Sequence, residues 1–282
     1  MSLTEQELAT LKERAASIRC QIADVTGWSG GAHIGGSLSM VDILTLLYWK
    51  YLRIDPANPA WEDRDRFVLS KGHGGVGHAV VLAERGYFDK AALREFNETG
   101  SMLGMHLDSN KVPGCDASTG SMGHGLSQAV GMALGARVLK KEWRVFCMIG
   151  DGESNEGSIW EAAMAAAHYK LDNLIVIQDR NHLMIDGPTE EVMSLEPLPD
   201  KWRAFGFETR EVNGHDLPAL AEAFEFAIAH KGSPVMLVCD TIKGKGVRFM
   251  ENDASWHHGV PSDEQYEQAI QELQAQMREI GA

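Results

Sequence analysis

Apolar and polar positions follow two rhythms along this chain. Short runs at Arg66–Ser70, Val145–Ile149, Leu174–Ile177, Glu208–Val212 and Val235–Asp240 are bounded by polar or Gly-rich segments and read as strands. Between them the apolar positions recur at helical spacing. Leu8, Leu11, Ala15, Ile18 and Ile22 predict a helix over 3–27, and further helices are expected at Met40–Tyr51, up to about Arg85, at 89–97, His124–Lys140, Leu217–His230 and Ser262–Ile280. Strands alternating with helices predict a three-layer α/β/α fold with a central, mainly parallel sheet. No repeat, low-complexity segment or linker divides the chain, so one domain over 1–282 is expected.

The stretch Gly150–Asn181 concentrates the chemistry. An apolar strand ends on Gly150-Asp151-Gly152, a helix with Ala162, Ala163, Ala165, Ala166 and Ala167 follows, and a second strand delivers Asp179 and Asn181. Such a unit puts its loops on the sheet edge where open α/β sheets bind ligands. Gly150 and Gly152 let the backbone approach a ligand, and the helix start suits a phosphate. Asp151 and Asn181 are hard oxygen donors, suited to Mg²⁺ or Ca²⁺. A Gly-Asp-Gly can also be only a turn, and it is the strand that ends in Asn181 that favours a ligand.

Three more Gly-rich turns carry or flank histidines. Gly27–Gly36 holds His33, Lys71–Gly75 holds His73, and Lys243–Gly246 precedes Trp256-His257-His258-Gly259. The long irregular stretch 99–123 is poor in charge and carries His106, which reads as a site loop. His33, His73, His106 and His258 around one sheet edge suit hydrogen bonds to phosphate and sugar oxygens, and general acid/base work. No pair has zinc-ligand spacing. His168, His182, His215 and His230 read as surface or packing residues. Neither a GxSxG elbow nor a phosphate-binding GxxxxGK[ST] occurs, so the reactive group is expected on a cofactor.

Composition narrows the class. A net charge of −14 without a basic cluster argues against a nucleic-acid surface. Cys20, Cys115, Cys147 and Cys239 form no CxxC and read as reduced thiols of a cytoplasmic protein. The charged amphipathic start is not a signal peptide, and no apolar run reaches the roughly 18 residues of a membrane span, so no membrane partner is expected.

Taken together, these residues resemble a known family. Gly150-Asp151-Gly152 followed by Asn181 is similar to the thiamine-diphosphate motif. Gly31–Ser39, Ser70–His73, Ser118–Gly125, Asp186-Gly187 and His258-Gly259 resemble, in order, the amino-terminal half of transketolases. The resemblance implies a thiamine diphosphate-binding fold and transfer of a two-carbon ketol unit from a ketose phosphate to an aldose phosphate, in carbohydrate and pentose phosphate metabolism. It implies Mg²⁺, replaceable by Ca²⁺ or Mn²⁺, on the side chains of Asp151 and Asn181 and the carbonyl of Leu183. Cofactor contacts are implied for His33, His73, Gly120, Ser121, Met122, Gly150, Gly152, Glu153, Asn181, Ile185 and His258. His33, His73, His106 and His258 would line the substrate channel, and Glu156 would be an interface acid linking two active sites.

The resemblance ends with the first domain. The pyrimidine and carboxy-terminal domains are expected on a separate partner subunit, in a heterotetramer of two of each chain. Gly104-Met105-His106-Leu107 and Gly123-His124-Gly125 replace the family's usual Pro-Gly-His-Pro and Gly-Gln-Gly. Both departures lie beside the expected substrate channel and leave the sugar open, a less usual ketose phosphate included. Half of another thiamine enzyme, similar to a deoxyxylulose-phosphate synthase or a 2-oxo acid dehydrogenase, and an inactive scaffold half are the readings that compete.

Overall fold

Alternate residues along four of the strands enter two different apolar cores, and that alternation builds the fold. The computed structural model describes residues 3–280, so the outermost two residues at each end of the expected 1–282 domain lie outside the described residues. The strands are β1 (Arg66–Leu69), β2 (Val145–Gly150), β3 (Leu174–Arg180), β4 (Glu208–Asn213) and β5 (Val235–Asp240). They pair in the order β1-β2-β3-β5-β4, every pair parallel. Phe67, Phe146, Met148, Ile175, Ile177 and Leu237 face one core. Val68, Val145, Cys147, Ile149, Val176 and Met236 face the other. β1 and β4 are the edge strands, and β4 turns Arg210 and Glu211 to solvent, which blunts further pairing.

The helices are α1 (Glu5–Trp28), α2 (Ile34–Ser39), α3 (Val41–Leu46), α4 (Gly75–Arg85), α5 (His124–Val138), α6 (Gly157–His168), α7 (Thr189–Val192), α8 (Leu198–Ala204), α9 (Leu217–Ala229) and α10 (Asp263–Ile280). α1, α3, α4, α9 and α10 supply residues to the first core, and α5, α6 and α8 to the second. α1 starts where a capping box dictates. Thr4 Oγ1 accepts from the Glu7 N–H at 3.2 Å and Glu7 Oε2 accepts from the Thr4 N–H at 2.8 Å.

Two expected elements take another form, and α7 and α8 stand where no helix is expected. The apolar helix starts earlier than Met40. α2 takes Gly35 and Gly36 out of the expected loop, α3 follows, and Leu47–Tyr51 closes it as a π-helical turn. The glycines are in a helix because neighbours press on it: a Cβ on Gly35 would lie 2.6 Å from the Trp256 carbonyl oxygen and 2.9 Å from Lys243 Cγ. The expected helix at 89–97 is a 3₁₀ segment, Lys90–Glu95. Asp89 caps it, and Asn97 at φ 65° stops its continuation.

Two glycines give opposite predictions. A Cβ on Gly72 would collide with the Thr119 carbonyl, so Gly72→Ala costs about 2–3 kcal/mol and lowers the thermal midpoint by roughly 5 °C. A Cβ on Gly131, inside α5, meets nothing within 4 Å. Gly131→Ala therefore raises stability of the isolated chain by about 0.5–1 kcal/mol through helix propensity. Calorimetric melting of both variants checks the pair.

Candidate active site

Three strand ends and the turn after β5 deliver polar groups to the carboxyl edge of the sheet. β1 runs into Ser70-Lys71, β2 into Gly150-Asp151, β3 into Asn181, and the chain after β5 into Thr241 and Lys243. A cavity of about 180 Å³ opens there, lined among others by Lys71, His73, Asp151, Asn181, Lys243 and His257.

Beneath the cavity floor lies Asp179, fully buried. Its carboxylate accepts from the Lys71 ammonium, from Ser39 Oγ at 2.7 Å, from Asn181 Nδ2 at 3.3 Å and from the Thr241 hydroxyl. Burial is the largest single influence and works to raise the Asp179 carboxyl, but Lys71 with the Thr241 and Ser39 hydroxyls together leave the group below its ordinary value. Lys71 also donates to the Gly36 carbonyl at 2.8 Å. This explains why a Cβ on Gly36 would sit 3.3 Å from Lys71 Nζ.

Asp151 is buried and differently served. Oδ1 accepts from the Gly152 N–H at 2.7 Å, and Oδ2 from the His182 N–H at 2.6 Å and Arg180 Nη1 at 3.3 Å. Burial and then the Asp179 carboxylate raise its pKa. Arg180 divides its charge among Asp151, Glu190 at 3.1 Å and Glu196 at 3.0 Å. Asp151 is thus short of positive charge. Asn181 Oδ1 accepts from the Leu183 N–H at 3.3 Å, and the Leu183 carbonyl accepts from Lys243 Nζ at 3.1 Å. Lys243 also reaches His257 Nδ1 at 3.1 Å. Burial, helped by Lys71, lowers the Lys243 ammonium to about 8.

Glu153 looks inward. Oε1 accepts from Ser70 Oγ at 2.5 Å and the Gly123 N–H at 2.7 Å, and Oε2 from the Gly150 N–H at 2.9 Å. One carboxylate therefore clamps the ends of β1 and β2 to the loop that precedes α5.

The histidines gather on His33. Its ring centroid lies 5.4 Å from His73, 6.1 Å from His106, 5.4 Å from His257 and 4.8 Å from His258. His73 and His257 stack at 5.1 Å. His33 Nδ1 is buried without a hydrogen-bond partner. Burial is the main cause that lowers these groups, with neighbouring imidazoles and lysines adding to it: His33 to about 4, His257 to about 3, and His73 well below its ordinary value. His106 is lowered by burial. At neutral pH these rings are neutral donors and acceptors.

Of the residues expected from sequence, His73, Met122, Gly150, Asp151, Gly152, Glu153, Asn181, Leu183 and Ile185 line the cavity. His33, His106 and His258 form the histidine cluster beside it, and Gly120 lies against the His106 ring, where its Cβ would be 3.8 Å away. Ser121 is exposed in the same loop. Lys71, Lys243 and His257 line the cavity without having been singled out. Lys71 stood inside the quoted Ser-Lys-Gly-His run. His257 differs from His258 by one step in a 3₁₀ turn that the pattern did not resolve.

The donor set fits a divalent cation at Asp151, Asn181 and the Leu183 carbonyl, because the buried Asp151 lacks a full counter-charge. A phosphorylated cofactor fits as well. Lys243, His73, His257 and the Gly152 turn surround a cavity whose other wall is Met122, Met184 and Ile185.

Comparisons with known proteins agree in direction. The family described as transketolase, thiamine diphosphate binding domain, matches residues 11–277. The chain is similar to one subunit of the apulose-4-phosphate transketolase of Phocaeicola vulgatus, 42% identical over 274 residues that make up 97% of each protein. It is similar to the 6-deoxy-6-sulfo-D-fructose transketolase subunit SqwG of a Clostridium species, 43% identical over 272 residues, 96% of this chain and 98% of that one. Its fold is similar to transketolase from Campylobacter jejuni, with a TM-score of 0.89 and 28% identity, covering 99% of this chain and 46% of that one. The chain thus spans nearly all of the two subunits and somewhat under half of the longer enzyme.

The site makes two predictions. Asp179→Ala strands the Lys71 ammonium in the interior and costs about 3–5 kcal/mol in urea unfolding, where a loss under about 1 kcal/mol would overturn the assignment. The second concerns pH. Above about 6.5, the ordinary imidazole value, His33 and His257 are neutral in both folded and unfolded chains. Below it the unfolded chain binds protons that the folded chain refuses. Stability therefore falls as pH drops from about 6.5, until the folded values near 4 and 3 are reached. Urea midpoints measured from pH 7 to 4 decline in wild type, and decline less in His33→Phe.

Proposed function

The chain belongs to the transketolase family, matched over its thiamine diphosphate-binding domain, and from that membership we propose how it acts. It is the amino-terminal subunit of a split transketolase. With thiamine diphosphate and Mg²⁺ it moves a two-carbon ketol unit between a ketose phosphate and an aldose phosphate, and does so only with a carboxy-terminal partner subunit. The observation that carries this reading is the joining of two halves of a site: a histidine cluster centred on His33 beside a cavity lined by Asp151, Asn181, Lys71 and Lys243.

Each residue then has work suited to its surroundings. Asp151, Asn181 and the Leu183 carbonyl would hold the cation, whose charge would relieve Asp151. His73, His257 and Lys243, with the backbone of the Gly152 turn beside them, would receive the diphosphate. Met122 and Ile185 would pack against the cofactor's rings, and Gly120 and Ser121 of the same loop as Met122 would meet its aminopyrimidine. Glu153 braces these contacts from behind, since its oxygens already take three donors. When bound, the cofactor supplies a thiazolium carbon that stabilises a carbanion. His33 and His106, neutral at working pH, orient sugar hydroxyls together with His258, and the unpartnered Nδ1 of His33 is the atom that holds or passes a proton.

The need for a partner is supported by what remains open. Met122 is 41% exposed and Ile185 64% exposed at the cavity wall. Glu156, exposed at the start of α6, would meet the neighbouring active site in a heterotetramer of two of each chain. The similar subunits are named for apulose-4-phosphate and 6-deoxy-6-sulfo-D-fructose, which supports a less usual ketose with an anionic end. Four thiols without a disulfide among the described residues support a cytoplasmic setting.

The test is reconstitution with a carboxy-terminal transketolase subunit. Calorimetry is expected to show tight binding of thiamine diphosphate with Mg²⁺ by the pair, weak binding by this chain alone, and a loss of at least about 100-fold in Asp151→Ala. Ketol transfer between ketose and aldose phosphates should require both subunits. Turnover of pyruvate without ketol transfer, or no cofactor binding by either preparation, overturns the reading.

A further inference from the structure

One histidine outside the cavity uses both ring nitrogens to tie the cavity's edge to the outer helices. The run Asn213-Gly214-His215-Asp216 leaves β4 at the edge of the sheet and enters α9. Each of its four residues has a structural reason. Asn213 Oδ1 accepts from the His215 N–H at 2.9 Å, which closes an Asx turn. Gly214 packs directly on the end of β5, where a Cβ would lie 3.0 Å from the Asp240 carbonyl oxygen. Asp216 caps α9 by accepting from the Ala219 N–H at 3.1 Å. The turn therefore places the His215 ring in one orientation.

His215 Nε2 accepts from the Ile242 N–H at 2.9 Å. An acceptor nitrogen carries no proton, so the proton of the neutral ring is on Nδ1. Nδ1 then donates to Asp42 Oδ2 at 2.7 Å. Asp42, on α3, is in turn held by Arg19 of α1 through contacts of 2.5 and 3.2 Å. Asp42 and Arg19 are both buried. A line of directed bonds thus runs from α1 through Asp42 and His215 to the backbone of Ile242. The next residue is Lys243, whose ammonium reaches the Leu183 carbonyl and His257 in the cavity.

We infer that His215 is a positioning residue. It fixes the Ile242–Lys243 backbone so that the Lys243 ammonium is held at the anion-receiving wall of the cofactor cavity. A packing role alone would need neither nitrogen. Here the acceptor side meets the segment that carries a site lysine, and the donor side is anchored on an ion pair in the core. Lys243 is the only residue of Thr241–Gly246 that lines the cavity, so a small shift of this turn moves that one charge. The inference rests on Lys243 serving the cofactor, as proposed above.

Two substitutions separate the nitrogens. In His215→Asn the shorter side chain puts its amide nitrogen in the place of Nδ1 and keeps the bond to Asp42, but loses the acceptor for Ile242. His215→Gln places its amide oxygen where Nε2 was and keeps that acceptor. Hydrogen-exchange mass spectrometry over residues 241–247 is expected to show at least about tenfold faster exchange at Ile242 in His215→Asn, and less than twofold change in His215→Gln. In the reconstituted pair, thiamine diphosphate with Mg²⁺ is expected to bind about tenfold more weakly to His215→Asn and within twofold of wild type to His215→Gln. Equal behaviour of the two variants in exchange overturns the tether. A change in exchange without a change in affinity overturns the positioning role. Absence of cofactor binding by the wild-type pair overturns the functional reading instead, and exchange still decides the tether. The nitrogen spectrum of wild-type His215 serves if a variant fails to fold: a proton on Nε2 overturns the inference.

Discussion

A lysine ammonium and an aspartate carboxylate, both withdrawn from water, hold the carboxyl edge of the sheet in register. Lys71 comes from the turn after β1 and Asp179 from the end of β3. The same carboxylate also takes donors from Ser39 on α2, Asn181 beyond β3 and Thr241 beyond β5. A buried ion pair is weak as a source of stability, because desolvation offsets most of its attraction. Its consequence is geometric. Four segments remote in sequence must meet at one point, since an unpaired member would leave a charge in the interior. Gly36 of α2 answers that requirement, because it offers its carbonyl to Lys71 and a Cβ there would sit only 3.3 Å from the Lys71 ammonium.

The pair also sets the electrostatics of the space above it. Lys71 contributes to holding His33, His73 and His257 neutral, with burial as the larger cause. A histidine cluster that cannot charge attracts an anion only through hydrogen bonds. Charge must come from Lys243 and from a cation at Asp151. Lys71 and Lys243 face the carboxylates of Asp151, Glu153 and Asp186 in the lining and of Asp179 beside it, so on the proposed function a diphosphate arriving without its cation would meet negative charge, and a cation without its diphosphate would meet the lysines. The arrangement favours loading the two together.

The sequence made the parts with local signatures legible. β2, β3 and β5 are continuous apolar runs, as strands buried on both faces must be, and the Gly-Asp-Gly turn sits between a strand and a helix within one short window. The parts set by distant partners were not legible. Lys71 and Lys243 stand in Gly-rich turns whose pattern assigns the lysines no role, and it is Gly36, Asp179 and Leu183, from remote parts of the chain, that bury and hold them. His257 and His258 are neighbours in sequence, and only the 3₁₀ turn at Ala254–His257 decides which ring enters the cavity. His215 read as a packing residue because its partners, Asp42 and Ile242, lie on two other elements. The glycines of α2 signalled close approach correctly, yet approach by other segments inside a helix leaves the same trace as a loop.

The loop from Thr119 to Gly123 shows how an open half-site can still be ordered. Thr119 Oγ1 donates to the Leu69 carbonyl at 2.5 Å, and the Gly123 N–H donates to Glu153 at 2.7 Å. Both anchors are buried, whereas Gly120, Ser121 and Met122 between them are exposed. The arch is therefore fixed at its two feet by the sheet itself and does not depend on a ligand for its shape. A partner that covers Met122 and Ile185 meets a surface already formed, so little ordering entropy is lost at this loop on docking. That separates two requirements that a single-chain enzyme would meet at once. On the proposed function, the diphosphate end is organised by Asp179, Glu153 and Lys71 within this chain, and the pyrimidine end and closure over the exposed arch are left to the partner subunit.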